Sequence, residues 1–242
     1  MLKLFQPKRA FGLPCPSAFC VKLETYLRMA DIPYELMDGE PTDAPKGKVP
    51  WIEDGPEDNR MSMGDSSFII DYLKQTYGDP LDSVLSNEQQ ATGRAVQRML
   101  EESLYFVSSY SKWVDDGGFK IYSAQLFGHL PEDQMDTVPP MVRDIVTKKL
   151  KAQGIARHSS DEVYAIGIGD IQAFATLLGD KPYLFGDSSS SRPTSFDCCA
   201  LGVIGNIKDG PFDVPIRDEI RGNERLSAYI DRMRSTYFAD LA

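Results

Sequence analysis

The chain has 242 residues, 42% hydrophobic and 26% charged, the balance of a globular protein able to bury a substantial core as one large or two small domains. A formal net charge of −10 argues against a general surface for nucleic acid or anionic membrane. No apolar run reaches the roughly 18 residues that a spanning helix needs, and four cysteines do not make a disulfide framework.

The opening MLKLFQPKRAFGLP lacks the apolar core of a signal peptide, which points to the cytoplasm. Leu2 and Leu4 alternate as in a first strand, over 2–5, and Pro7 to Pro16 reads as loop. From Ser17, apolar residues fall at Phe19, Leu23, Tyr26, Leu27 and Ala30, which predicts a helix over 18–30 with one buried face. Asp31-Ile32-Pro33 stops it, and Tyr34 to Met37 suits a second strand. The segment DGEPTDAPKGK is polar and broken by two prolines, leaving little room for a helix. KVPWIED and RMSM are two further short strands, and Gly64-Asp65-Ser66 opens a helix that Gly78-Asp79-Pro80 ends.

After residue 80 the pattern turns helical. Ser86 to Gln89 reads as a capping box before a long helix to about Lys112. Further helices are expected at 138–153, 161–179, 195–208 and 223–235, with no strand among them. The tract Ser188 to Ser191 reads as a polar loop. The expected organisation is an α/β domain over 1–78, a linker over 79–88 and an all-helical domain over 89–242.

A β-α-β then β-β-α module followed by helices, with SAFC at a helix start, KVPW at a strand start and GDSSFIIDYL opening a helix, resembles the cytosolic glutathione transferases. FCVKLETYLRMADIPYE, KGKVPWIEDG, QGIARHSSDEV, LGDKPYLFGD and PTSFDCCALG resemble the failed-axon-connections-like and metaxin-related branch in particular. The resemblance implies a thioredoxin-like N-terminal domain, an all-α C-terminal domain, glutathione as co-substrate without a metal, and a homodimer.

Within it, SAFC lies on the glutaredoxin-like CPFC pattern. Ser17 then occupies the nucleophile position and Cys20 the resolving position, with Cys15 two residues earlier in the loop. A serine cannot attack a disulfide, so the pattern points to a transferase in which the reactive sulfur belongs to glutathione. Lowering a thiol pKa from about 8.5 by roughly two units takes about 2.7 kcal/mol. A hydroxyl bonded to the anion supplies roughly 1.5–3 kcal/mol and a helix N-terminus roughly 0.3–1 kcal/mol. Ser17 is equally a good N-cap, and Cys15 is an alternative reacting atom. Cys20 reads as a small buried apolar residue.

The resemblance puts Val49 beside a cis Pro50, its backbone facing the cysteinyl part of glutathione. It puts Ser66 on the γ-glutamyl carboxylate at a helix N-terminus and Asp65 on the ammonium; the same two residues also suit a plain helix cap. Lys46 and Lys48 are candidates for the glycyl carboxylate. Thr194 and Asp197 resemble the buried capping box of the helical domain, a folding feature. Arg157 and His158 suit a helix-end salt bridge, or alternatively a ligand contact. His129 and His158 are the only histidines, and no Cys/His spacing suits zinc. Cys198 and Cys199 read as core. Tyr105, Phe106, Tyr110 and Trp113 supply core and wall for an apolar electrophile, whose pocket walls are expected within 104–130 and 155–170. The expected activity is conjugation of glutathione to such an electrophile. The alternatives are a non-catalytic binding or adaptor module with a filled cleft, and a thiol reductase, which would need an exposed Cys15.

Overall fold

A computed structural model describes residues 1–185 and 192–241; the tract Ser188 to Ser191 lies outside them. Leu2, Leu4 and Gln6 alternate inward along β1, Leu2–Gln6. The chain crosses over through α1, Ala18–Met29, to β2, Tyr34–Asp38, which runs parallel to β1. β3, Trp51–Asp54, and β4, Met61–Gly64, then add antiparallel partners, giving the strand order β2-β1-β3-β4. Gly39 makes room for this sheet, because a Cβ there would lie 2.5 Å from the Trp51 ring, which itself stacks on Phe5 with centroids 4.7 Å apart. α2, Ser66–Tyr77, follows β4 directly, and Gly78 takes φ 90° at its end.

The remainder is helical: α3, Asn87–Met99, α4, Tyr105–Trp113, α5, Asp116–Phe127, and α6, Glu132–Met135. α7, Val138–Gln153, α8, Ser160–Leu178, α9, Ser195–Ala200, α10, Asn206–Asp209, α11, Pro215–Gly222, and α12, Glu224–Tyr237, complete it. Among the described residues no strand follows β4. The Ser86–Gln89 capping box is formed, as is that of Thr194 and Asp197.

The expected long helices at 87–112 and 195–208 are each interrupted by one π-helical turn, Leu100–Leu104 and Leu201–Gly205. Three helices go beyond the expected set, α5, the single-turn α6 and α11. α5 begins with a glycine pair that reads as a turn, yet Asp115 caps it by accepting from the Gly117 N–H at 3.0 Å. Gly118 is required there, since a Cβ would lie 1.7 Å from the Ser111 carbonyl oxygen. α11 is short and starts on proline, and its buried Ile216 and Ile220 form one stripe.

Two hydrophobic clusters share α1 between them. Leu23, Tyr26 and Leu27 pack with Leu2, Leu4, Ile52, Ile69 and Leu73 of the sheet half. Ala18, Cys20 and Val21 pack into the helical half. Residues 20–27 of α1 are therefore all buried, including two charges that must be paired. Glu24 accepts from Gln6 at 2.9 Å, Arg9 at 2.8 Å, Arg28 at 2.9 Å and Tyr34 at 3.0 Å. Lys22 reaches Glu101 of the first π turn at 2.5 Å. The start of α1 is thus held from both sides.

Candidate active site

The sheet register gathers three sequence motifs at one end. Trp51 stands opposite both Phe5 and Gly64. Pro50 before it, Asp65 after Gly64 and the loop leading from β1 to α1 consequently lie at the same end of the sheet. Two helices, α1 and α2, begin there, so two sets of unpaired N–H groups and two positive dipole ends face one region.

Ser17 is the N-cap of α1. Its backbone is extended, and its Oγ accepts from the Cys20 N–H at 3.4 Å, a long bond. The hydroxyl hydrogen remains available to donate, and the residue is half-buried. Cys15 differs from the exposed thiol that a reductase requires: its relative exposure is 0%. Its backbone carbonyl accepts from Asn206 at 3.0 Å and its Sγ faces the Pro7 carbonyl oxygen at 3.8 Å. Cys20 is also buried, and burial beside Cys15 pushes its thiol well up.

The Val49-Pro50 peptide bond is cis. Asp65 has φ 87°, a left-handed conformation that costs a non-glycine residue roughly 1–3 kcal/mol. Its Oδ1 accepts from the Ser67 N–H at 3.0 Å and the Phe68 N–H at 3.5 Å, capping α2. Ser66 is buried as the first residue of that helix. Lys46 folds against the same helix start, with its Nζ 4.6 Å from the Phe68 ring centroid and its Cβ close to Gly64.

Sequence reasoning missed Ser67. Its Oγ accepts from Lys22 at 3.0 Å and from Gln97 at 3.0 Å, joining α2 to α1 and α3. It is a helix-face serine, and no local signal sets it apart. The other half supplies an aromatic wall. Phe19 in the first turn of α1 meets Tyr105 at 4.7 Å. Phe11 contacts Tyr122 and Phe212, each at 6.0 Å, and Trp113 packs edge-on to Tyr122 at 5.2 Å. Tyr105, Trp113 and Tyr122 fall within the stretch 104–130 expected in such a wall; Phe11 and Phe212 come from segments without a motif. Burial raises the Tyr105 and Tyr122 phenols.

Arg157 and His158 take the helix-end role. Arg157 Nε donates to the Lys151 carbonyl at 2.7 Å, and exposed His158 lies 3.7 Å from Glu162. Glu162 accepts from the Ser159 N–H, which holds its carboxyl below the usual range. Asp197, completely buried, accepts from the Thr194 and Leu184 N–H groups and the Tyr229 hydroxyl at 2.7, 2.9 and 2.8 Å. Burial raises its carboxyl against those bonds.

These features define a thioredoxin-like half whose motifs meet at two helix starts, joined to a helical half that faces them with aromatic side chains. Family profiles agree: the Glutathione S-transferase N-terminal domain matches residues 18–118, and the Glutathione S-transferase C-terminal domain matches residues 167–233. The chain belongs to the glutathione S-transferase superfamily. It is 29% identical over 243 residues to isoprene-epoxide–glutathione S-transferase of Rhodococcus sp. strain AD45, covering 98% of this chain and 99% of that one. It is 31% identical to Failed axon connections of Drosophila melanogaster, covering 99% of this chain and 59% of the longer relative. A solved glutathione S-transferase from Methylobacterium radiotolerans, in complex with glutathione sulfonate, matches with a TM-score of 0.62 at 19% identity over 99% of this chain and 93% of that one. At that identity the likeness is one of fold.

Proposed function

We propose that this protein is a glutathione transferase that joins the thiolate of bound glutathione to an apolar electrophile. The observation that carries the reading is the register-defined meeting of Ser17, the cis Val49-Pro50 peptide and Asp65-Ser66 at one end of the sheet. In this reading the Ser17 hydroxyl donates to the thiolate, which the α1 N-terminus also stabilises. The Val49 backbone pairs with the cysteinyl unit. Ser66 and the α2 N-terminus take the γ-glutamyl carboxylate, Asp65 faces the ammonium, and Lys46, folded against the α2 start, takes the glycyl carboxylate. The aromatic side chains of α4 and α5 receive the electrophile. An epoxide is the electrophile in the name of the Rhodococcus relative, which makes that class the first to assay. A cytoplasmic homodimer is the accompanying proposal, carried by the superfamily resemblance.

A second reading, a non-catalytic binding module, is favoured by one observation: Phe19 and Tyr105 pack directly beside the Ser17 helix start. Calorimetry with glutathione on wild type and Ser66→Ala separates the two, with the thiol pKa of the bound ligand followed by thiolate absorbance. Binding that weakens in the variant, with a depressed thiol pKa in wild type, supports the transferase. No binding at millimolar glutathione leaves the binding module. The buried Cys15 speaks against the thiol-reductase alternative.

A further inference from the structure

The two buried lysines among the described residues are matched to carboxylates, and Lys112 is not. Lys22 pairs with Glu101 at 2.5 Å and Lys208 with Asp231 at 2.6 Å. Lys112, near the end of α4, makes no ion pair or hydrogen bond among the described residues, although it is at least half-buried. Its ammonium instead faces two aromatic rings, 5.8 Å from the Tyr122 centroid and 5.7 Å from that of Phe212. Such contacts hold a cation without neutralising it. The titratable groups facing it are Cys15, from the loop before α1, and Tyr122, from α5; Phe11 and Phe212 carry no charge. Lys112 lies seven residues after Tyr105, on the same face of α4, and Tyr105 touches the first turn of α1. The amine therefore belongs to the wall that faces the Ser17 helix start.

We propose that Lys112 is a catalytic acid, protonating the oxygen released when the glutathione thiolate opens an apolar epoxide. This rests on the transferase reading above. The sulfur forms a bond to one oxirane carbon, the C–O bond at that carbon breaks, and its electron pair goes to oxygen. The Lys112 ammonium gives that oxygen a proton and becomes a neutral amine, which regains a proton from water; the thiol proton has already left to water. An alkoxide needs this proton, whereas a departing halide does not. The assignment thus names epoxides over alkyl halides as the substrates that depend on this residue. Burial lowers the amine to about 8, a value close to working pH that suits a proton donor.

The test compares wild type, Lys112→Met and Lys112→Arg on styrene oxide and on benzyl chloride, with glutathione affinity measured by calorimetry. Met keeps the length of the stem against the rings; Arg keeps the charge but does not release its proton. Both variants are expected to lose about 100-fold or more in kcat/KM on the epoxide. Glutathione affinity should stay within about threefold of wild type, and turnover of benzyl chloride should fall far less than turnover of the epoxide. The wild-type epoxide rate should fall above about pH 8, and that limb should vanish in Lys112→Arg. Equal losses on both compounds, or an epoxide rate that survives both substitutions, overturn the proposal. So does a wild type that binds glutathione yet opens no epoxide. A wild type that binds no glutathione overturns the transferase reading itself.

Discussion

Lys22 Nζ meets Glu101 Oε1 at 2.5 Å, with both side chains 5% exposed or less, where α1 of the sheet half touches the first π turn of the helical half. Gln97 adds bonds to both carboxylate oxygens, at 3.2 and 3.1 Å. Cys199 Sγ lies 3.6 Å from the same carboxylate, and that charge together with burial keeps the thiol protonated. Replacing Lys22 with Met leaves a buried carboxylate without its cation. The expected cost is about 3–5 kcal/mol, read as a lower urea midpoint. Adding Glu101→Leu should recover most of it, because two apolar groups need no pairing. A double variant as unstable as the single one would mean that packing, not charge, explains the loss.

Gly202 sits in the second π turn, against the start of α1. A Cβ there would lie 2.4 Å from the Ala18 carbonyl oxygen and 3.1 Å from the Lys22 N. These are backbone atoms, so neither can rotate away. Gly202→Ala should cost about 1–3 kcal/mol, toward the upper end, and should displace the N-terminus of α1. Thermal unfolding measures the first effect. Glutathione affinity measures the second, and should weaken more than in Gly169→Ala, where a Cβ meets nothing within 4 Å.

Gly118, Gly202 and the two π turns also mark where sequence reasoning ran out. The strands, the helix over 18–30, the Ser86 cap and the acid-hydroxyl start at Asp65 were readable because each depends on residues within one turn of each other. The cis Val49-Pro50 bond, the Thr194–Asp197 box and the site roles given to Ser17 and Ser66 followed from the family resemblance. Ser67, Lys112, Phe212 and the Gly118 contact depend on what a distant segment brings opposite them, and no local pattern encodes that. The burial of Cys15 is of the same kind. A loop cysteine beside proline looks available until Asn206 and the helical half close over it.

Ser17 has two roles that substitution can separate. Its cap bond is long, 3.4 Å from the Cys20 N, so Ser17→Ala should cost only about 0.5–1 kcal/mol of stability. If its hydroxyl donates to the thiolate, the thiol pKa of bound glutathione should rise by about one to two units, in keeping with a charged hydrogen bond of roughly 1.5–3 kcal/mol. Cys15→Ser should leave that pKa and the conjugation rate close to wild type. A thiol pKa unmoved by Ser17→Ala would reduce Ser17 to a helix cap.

Lys112 makes a further prediction, on stability and independent of catalysis. Its amine has a usual pKa of 10.5 and burial lowers it to about 8 in the fold. As pH falls from 10.5 to about 8, the unfolded chain takes up a proton that the folded chain does not, so folding stability drops across that window. Below it both states are charged and the penalty is complete, roughly 3 kcal/mol. Lys112→Met has no such penalty. Its urea midpoint should exceed that of wild type at pH 7, and the gap should close toward pH 10.5, where the wild-type amine is increasingly neutral in both states. A gap that is constant with pH would mean that the methionine gains by packing alone and that the amine is not held in a desolvated place.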